Sequence, residues 1–159
     1  MKALVVFDSF FGNTEKVARE IDAALSERMD CAVARAGEAD PNGLRGLDLL
    51  VVGSPTRAFK ASEQTVQFVR AIPAGALTGV KVAAFDTRAD IAEINSAVLT
   101  FMVRIFGYAA EPIAKALKRK DGQAAGEPAG FFIQAKEGPL YDGELERAAD
   151  WARGLSGGG

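Results

Sequence analysis

Short apolar runs alternate along the chain with stretches of helical periodicity, and this alternation restricts the possible folds more than any other feature. Residues 2–7 (KALVVF) and 48–53 (DLLVVG) are apolar without the polar alternation of a half-exposed strand. Such runs are buried on both faces of a parallel sheet. Residues 81–86 (KVAAFD) read as a third strand of this kind, and residues 31–35 as a weaker one. Between them, residues 14–28 carry Val17, Ala18, Ile21, Ala24 and Leu25 at helical spacing, and residues 41–46 read as a short crossover turn. Residues 62–72 form a second amphipathic stretch, with Ser62 as its N-cap and Val66, Val69 and Ile72 inward. A third helix runs from about residue 95 to 106, with Val98, Met102 and Ile105 on one face. Residues 108–113 and 130–135 (GFFIQA) have strand character. The last helix begins near Asp142 and turns Leu145, Ala148, Trp151 and Leu155 inward.

Strands separated by helices give an α/β fold: a doubly wound five-stranded parallel sheet with helices on both faces. With 159 residues the chain suits one domain, residues 1–155, followed by a glycine-rich tail at 156–159. Residues 114–129 are the least structured part, and Lys115, Lys118, Arg119 and Lys120 form a solvated basic face there.

Composition narrows the chemistry. The 19 basic and 21 acidic side chains nearly cancel, so no basic footprint points to nucleic acid. Histidine is absent, which removes Ser-His and Cys-His catalysis and most zinc sites. Cys31 is the single cysteine, so there is no disulfide framework; it reads as a small core residue in a reducing compartment. No apolar run approaches the roughly 18 residues of a membrane span, and no charged-then-apolar leader precedes residue 2. A cytoplasmic protein with no membrane partner is expected.

The junction between the first strand and the first helix reads DSFFGNTEK. A helix N-terminus there offers free backbone N–H groups and the positive end of the helix dipole, at the carboxyl edge of the sheet where such folds bind ligands. Ser9 and Thr14 add hydroxyls, Asn13 an amide, and Gly12 a backbone able to approach closely. These residues suit a phosphate held by uncharged donors; they equally suit a simple helix cap. Neither GxxxxGK[ST] nor GxGxxG is present, so a P-loop and a dinucleotide fingerprint are unsupported. Lys16 lies nearby but points along the helix and has at most a supporting role.

The segment Ser9-Phe10-Phe11-Gly12-Asn13-Thr14 resembles the flavodoxin phosphate loop, [ST]-x-T-G-x-T, in the same place after the first strand. The likeness extends to GSPT (53–56), FDTR (85–88) and EGPLYDGELERAADWA (137–152). It implies a strand order of 2-1-3-4-5 and flavin mononucleotide (FMN) as cofactor. It also implies a phosphate held by Ser9, Asn13 and Thr14 and by the amides of Phe10, Phe11, Gly12, Asn13 and Thr14. Pro55, Thr56, Arg57, Ala58, Phe59, Thr87 and Arg88 would contact the ribityl chain and ring, with Phe59 placed to stack on it.

Three departures from the family pattern stand out. Phe11 replaces the middle threonine. No tyrosine follows the fourth strand, since Tyr108 and Tyr141 lie elsewhere, which leaves the outer ring face open or covered by Arg88 or Ile91. Residues 54–62 contain no glycine for the family's peptide flip; forcing Ala58 to positive φ costs on the order of 1 kcal/mol. Arg57 or Arg88 within about 4–6 Å of the flavin would favour its anionic reduced form and raise its potential.

The resemblance implies an electron carrier working between redox protein partners. The alternative is a flavodoxin-like NAD(P)H:quinone-type oxidoreductase, whose partners would be a quinone or nicotinamide. A flavin-free receiver domain is disfavoured, because Gly53-Ser54 stands where its phosphoacceptor aspartate belongs.

Overall fold

The computed structural model describes residues 1–90 and 97–157; among residues 97–106 the side chains of Leu99, Met102, Ile105 and Phe106 are not described. Four strands run parallel: β1 (Lys2–Phe7), β2 (Asp30–Arg35), β3 (Leu49–Pro55) and β4 (Lys81–Ala89). They lie in the order β2-β1-β3-β4. The fifth place is split. β5 (Gln123–Ala124) pairs with Lys81 and Val82, and β6 (Ala129–Ile133) pairs with Phe85 to Ala89, both parallel to β4. The 2-1-3-4-5 order therefore holds, with its last strand interrupted at residues 125–128.

Alternation along the strands feeds two cores. Val5, Phe7, Leu49, Val51, Ala83 and Phe85 face α1 (Asn13–Leu25) and the C-terminal helix. Val6, Leu50, Val52, Val82 and Ala84 face α2 (Glu63–Ala71) and a later helix. All five apolar positions expected in α1 are buried. Ser62 caps α2 by accepting from the Thr65 amide, while its own amide donates to Ser54 Oγ at 2.8 Å.

Several expectations are corrected. The helix α3 (Ala97–Phe106) turns Val98 outward, 73% exposed; its expected start at residue 95 and the inward Met102 and Ile105 fall outside the described residues. Residues 108–113 are not a strand, and 114–129 do not begin as a loop, because α4 (Ala110–Arg119) takes most of the first segment and the opening six residues of the second. It buries Ala110, Ile113, Ala114 and Leu117, and its last turn carries Lys118 and Arg119 where the dipole favours cations. The C-terminal helix α5 (Glu144–Gly157) buries Ala148 and Leu155 as expected but leaves Leu145 exposed and adds Ala149 and Ala152 to the inward face, whose three alanines let it lie close on α1. Trp151 is half-buried, edge-on to Phe85 at 6.2 Å and to Phe131 at 6.1 Å. Cys31 is half-buried against the core on the α1 side, and burial, together with neighbouring Asp22, pushes its thiol up to about 12. No helix among the described residues is long and apolar enough to cross a membrane.

Candidate ligand cleft at the carboxyl edge

The carboxyl ends of β1, β3, β4 and β6 bring their following loops together. They enclose a cavity of about 430 Å³, within the range of small-molecule sites. A narrow cleft of about 20 Å³ adjoins it and shares Phe11, Thr56, Arg57, Ile133 and Lys136 with it. Nine of the residues singled out above line the cleft: Ser9, Phe10, Phe11, Asn13, Thr14, Pro55, Thr56, Arg57 and Thr87. Ala58, Phe59 and Arg88 line the larger cavity. Gly12 and Lys16 line neither.

The first loop is wound around Ser9, whose hydroxyl accepts the Gly12 amide at 3.0 Å while the Asp8 carboxylate accepts the Ser9 amide at 2.9 Å. Gly12 is the N-cap of α1 at φ 91°, a left-handed conformation costly for any other residue, and no side chain caps the helix. The first-turn amides thus lack the usual Ser or Asp partner, and two of the residues that carry them, Asn13 and Thr14, line the cleft. The other two polar side chains of the loop are engaged sideways. Asn13, 7% exposed, donates from Nδ2 to the Glu137 carbonyl at 2.6 Å. Thr14, 1% exposed, bonds the Thr87 hydroxyl through its own at 2.7 Å.

The loop after β3 closes with a tight hairpin. Arg57 and Lys60 exchange backbone hydrogen bonds of 3.0 and 2.9 Å, and Ala58 and Phe59 at its tip take φ of 48° and 65°. Two positive φ values in succession match a primed hairpin turn, here made without glycine. The left-handed region costs a residue with a Cβ about 1–2 kcal/mol, against about 0.5–1 kcal/mol of extra entropy for glycine. Ala58→Gly is therefore expected to raise the unfolding free energy by roughly 0.5–1 kcal/mol in urea titrations. A loss of stability would show the tip to be unstrained.

The opposite wall is organised by Asp86, which is fully buried. Its carboxylate accepts from Arg88 Nε at 2.6 Å and Nη2 at 2.7 Å, and from the Ala110 amide that begins α4 at 2.9 Å. Burial holds this carboxyl above the usual carboxylate range, and the Arg88 guanidinium offsets only part of that rise. Arg88 lies 3.7 Å from the centroid of the Tyr108 ring. The Thr56 hydroxyl accepts the Ala109 amide at 3.0 Å, so β3, β4 and α4 are tied at one point.

Two readings of the sequence change here. Arg88 is not a free charge, since Asp86 holds it. Tyr108, placed away from the site by its distance along the chain, lines the cavity with Val103, Ile133, Lys136 and Glu137. Tyr108 carries no signal in the sequence beyond being one of two tyrosines, and Lys136 none beyond directly preceding the segment EGPLYDGELERAADWA. Ile91 lies outside the described residues.

No protein-family model matches the chain, and no curated protein matches it. Solved structures do. A flavodoxin from the domain Archaea is 20% identical with a TM-score of 0.74, covering 98% of this chain and 96% of its own. The flavodoxin of Streptococcus pneumoniae TIGR4 is 18% identical with a TM-score of 0.76, and oxidised flavodoxin 2 of Bacillus cereus 20% with 0.72; both comparisons cover 98% of each chain. Likeness over whole chains at such identity speaks for architecture, and with the strand order it establishes that this chain has the flavodoxin-like fold.

Proposed function

We propose that this cleft holds FMN and that the protein carries electrons between redox protein partners. The observation that carries the reading is the junction of an uncapped helix N-terminus with a cavity walled by Phe59 and Tyr108, at the carboxyl edge of the sheet. Amides of the first turn and Ser9 would hold the phosphate. Ala58, Phe59 and the carboxyl end of β4 would flank the ring. FMN, when bound, supplies the electron transfer; the protein's part is to bind, orient and shield it. The flavodoxins of like fold support this reading by analogy.

The test is a titration of the flavin-free protein with FMN, followed by flavin fluorescence. One-to-one uptake is expected, and Ser9→Ala should weaken it about 10- to 100-fold, as for the loss of one hydrogen bond to a charged group. Absence of uptake by the unmodified protein would end the reading. Adding NADPH or NADH to the loaded protein separates carrier from reductase: a carrier stays oxidised until a partner reductase is supplied.

A further inference from the structure

We infer that the anionic end of this ligand is charge-matched by Arg57 and Lys136, two cations brought to the cleft by distant loops. The inference rests on the FMN reading. A phosphate monoester carries about −1.5 to −2 charges near neutral pH. Residues 9–14 contain no cation, and the Asn13 and Thr14 side chains are already bonded to Glu137 and Thr87. The first loop on its own therefore offers little beyond amides and the Ser9 hydroxyl.

Arg57 and Lys136 line both the narrow cleft and the larger cavity. Among the described residues neither makes an ion pair, whereas Arg88, the third cation of the cavity, is held by Asp86. Both are positioned against the first loop. Arg57 sits over the rings of Phe10 and Phe11, at 5.0 and 5.7 Å from their centroids. Lys136 precedes Glu137, whose carbonyl is bonded to Asn13 at the start of α1. The acids nearby are Glu137, which lines the cavity, and Asp8, which is turned onto the Ser9 amide. The chain thus supplies cations to its anion site without placing one in the loop itself, and because both are exposed their attraction is screened by salt.

The experiment compares FMN with riboflavin, which lacks the phosphate, at low and high ionic strength. Arg57→Gln and Lys136→Gln should each raise the Kd for FMN about tenfold at low salt, the loss of one charge-assisted contact, with riboflavin changed by less than about twofold. Arg57→Lys should keep most of the affinity, which separates charge from stacking on Phe10 and Phe11. High salt should weaken FMN binding to the unmodified protein more than to the double glutamine variant. An FMN Kd within about twofold of the unmodified protein for that double variant overturns the inference and leaves the FMN reading intact. Equal weakening of both flavins also overturns it, since the residues would then act through packing. An unmodified protein that takes up neither flavin removes both readings together.

Discussion

Asp86→Ala is expected to lower the unfolding free energy by about 3–5 kcal/mol in urea denaturation. The carboxylate is fully buried and accepts from Arg88 through two nitrogens and from the first amide of α4. Removing it strands the guanidinium, whose side chain is only 16% exposed, and orphans the Ala110 amide. Breaking one side of a buried pair is costly because the surviving charge has nothing to replace its lost water. At about 2–4 °C of melting temperature per kcal/mol for a chain of this size, the midpoint should fall by roughly 6–20 °C. Asp86→Asn, which keeps the shape but not the charge, should cost less, about 1–3 kcal/mol. Asp86→Ala combined with Arg88→Ala should lose less than the sum of the single changes, because the stranded charge is gone. A loss below about 1 kcal/mol for Asp86→Ala would show that the pair contributes nothing to the wall.

Gly138→Ala is the second large effect, and it reaches the cleft from the far side. Gly138 has φ 98°, and a Cβ there would lie 2.4 Å from Asn13 Nδ2 and 2.6 Å from Oδ1. Asn13 cannot step aside cheaply, since it is buried and its amide bonds the neighbouring Glu137 carbonyl. Strain of about 1–2 kcal/mol for the left-handed backbone and about 1–3 kcal/mol for overpacking sum to roughly 2–5 kcal/mol. The displaced side chain belongs to the first residue of α1, so ligand uptake should weaken along with stability. Combining Gly138→Ala with Asn13→Ala should restore part of the loss, because the collision disappears while the backbone strain remains. Strict additivity of the two changes would show that the two loops do not press on each other.

The sheet was legible because its strands carry their own signature. LLVVGS and KVAAFD are apolar on both faces, and in the fold both faces are covered. The error lay at residues 108–119. Pro112 looks like a breaker, yet it sits in the first turn of α4, where no amide donor is needed and proline is tolerated. Read from Ala110, the spacing of Ala110, Ile113, Ala114 and Leu117 is plainly helical. β5 is two residues long and has no sequence signal of its own.

Within the cleft, loops that directly follow strands could be placed from topology alone. What could not be read was how those side chains are employed. Thr14 faces Thr87 and Asn13 faces Glu137, partnerships that exist only once distant segments pack. Tyr108 and Lys136 arrive by the same route.

The hydrogen bond between Asn13 and Glu137 spans 124 positions of the chain. A nascent polypeptide emerging from the ribosome can complete β1 and α1 long before residue 137 has been synthesised. Closing so long a loop comes late, after the local contacts have formed. Whatever occupies the cleft therefore meets a finished pocket only once the chain has been translated past residue 137.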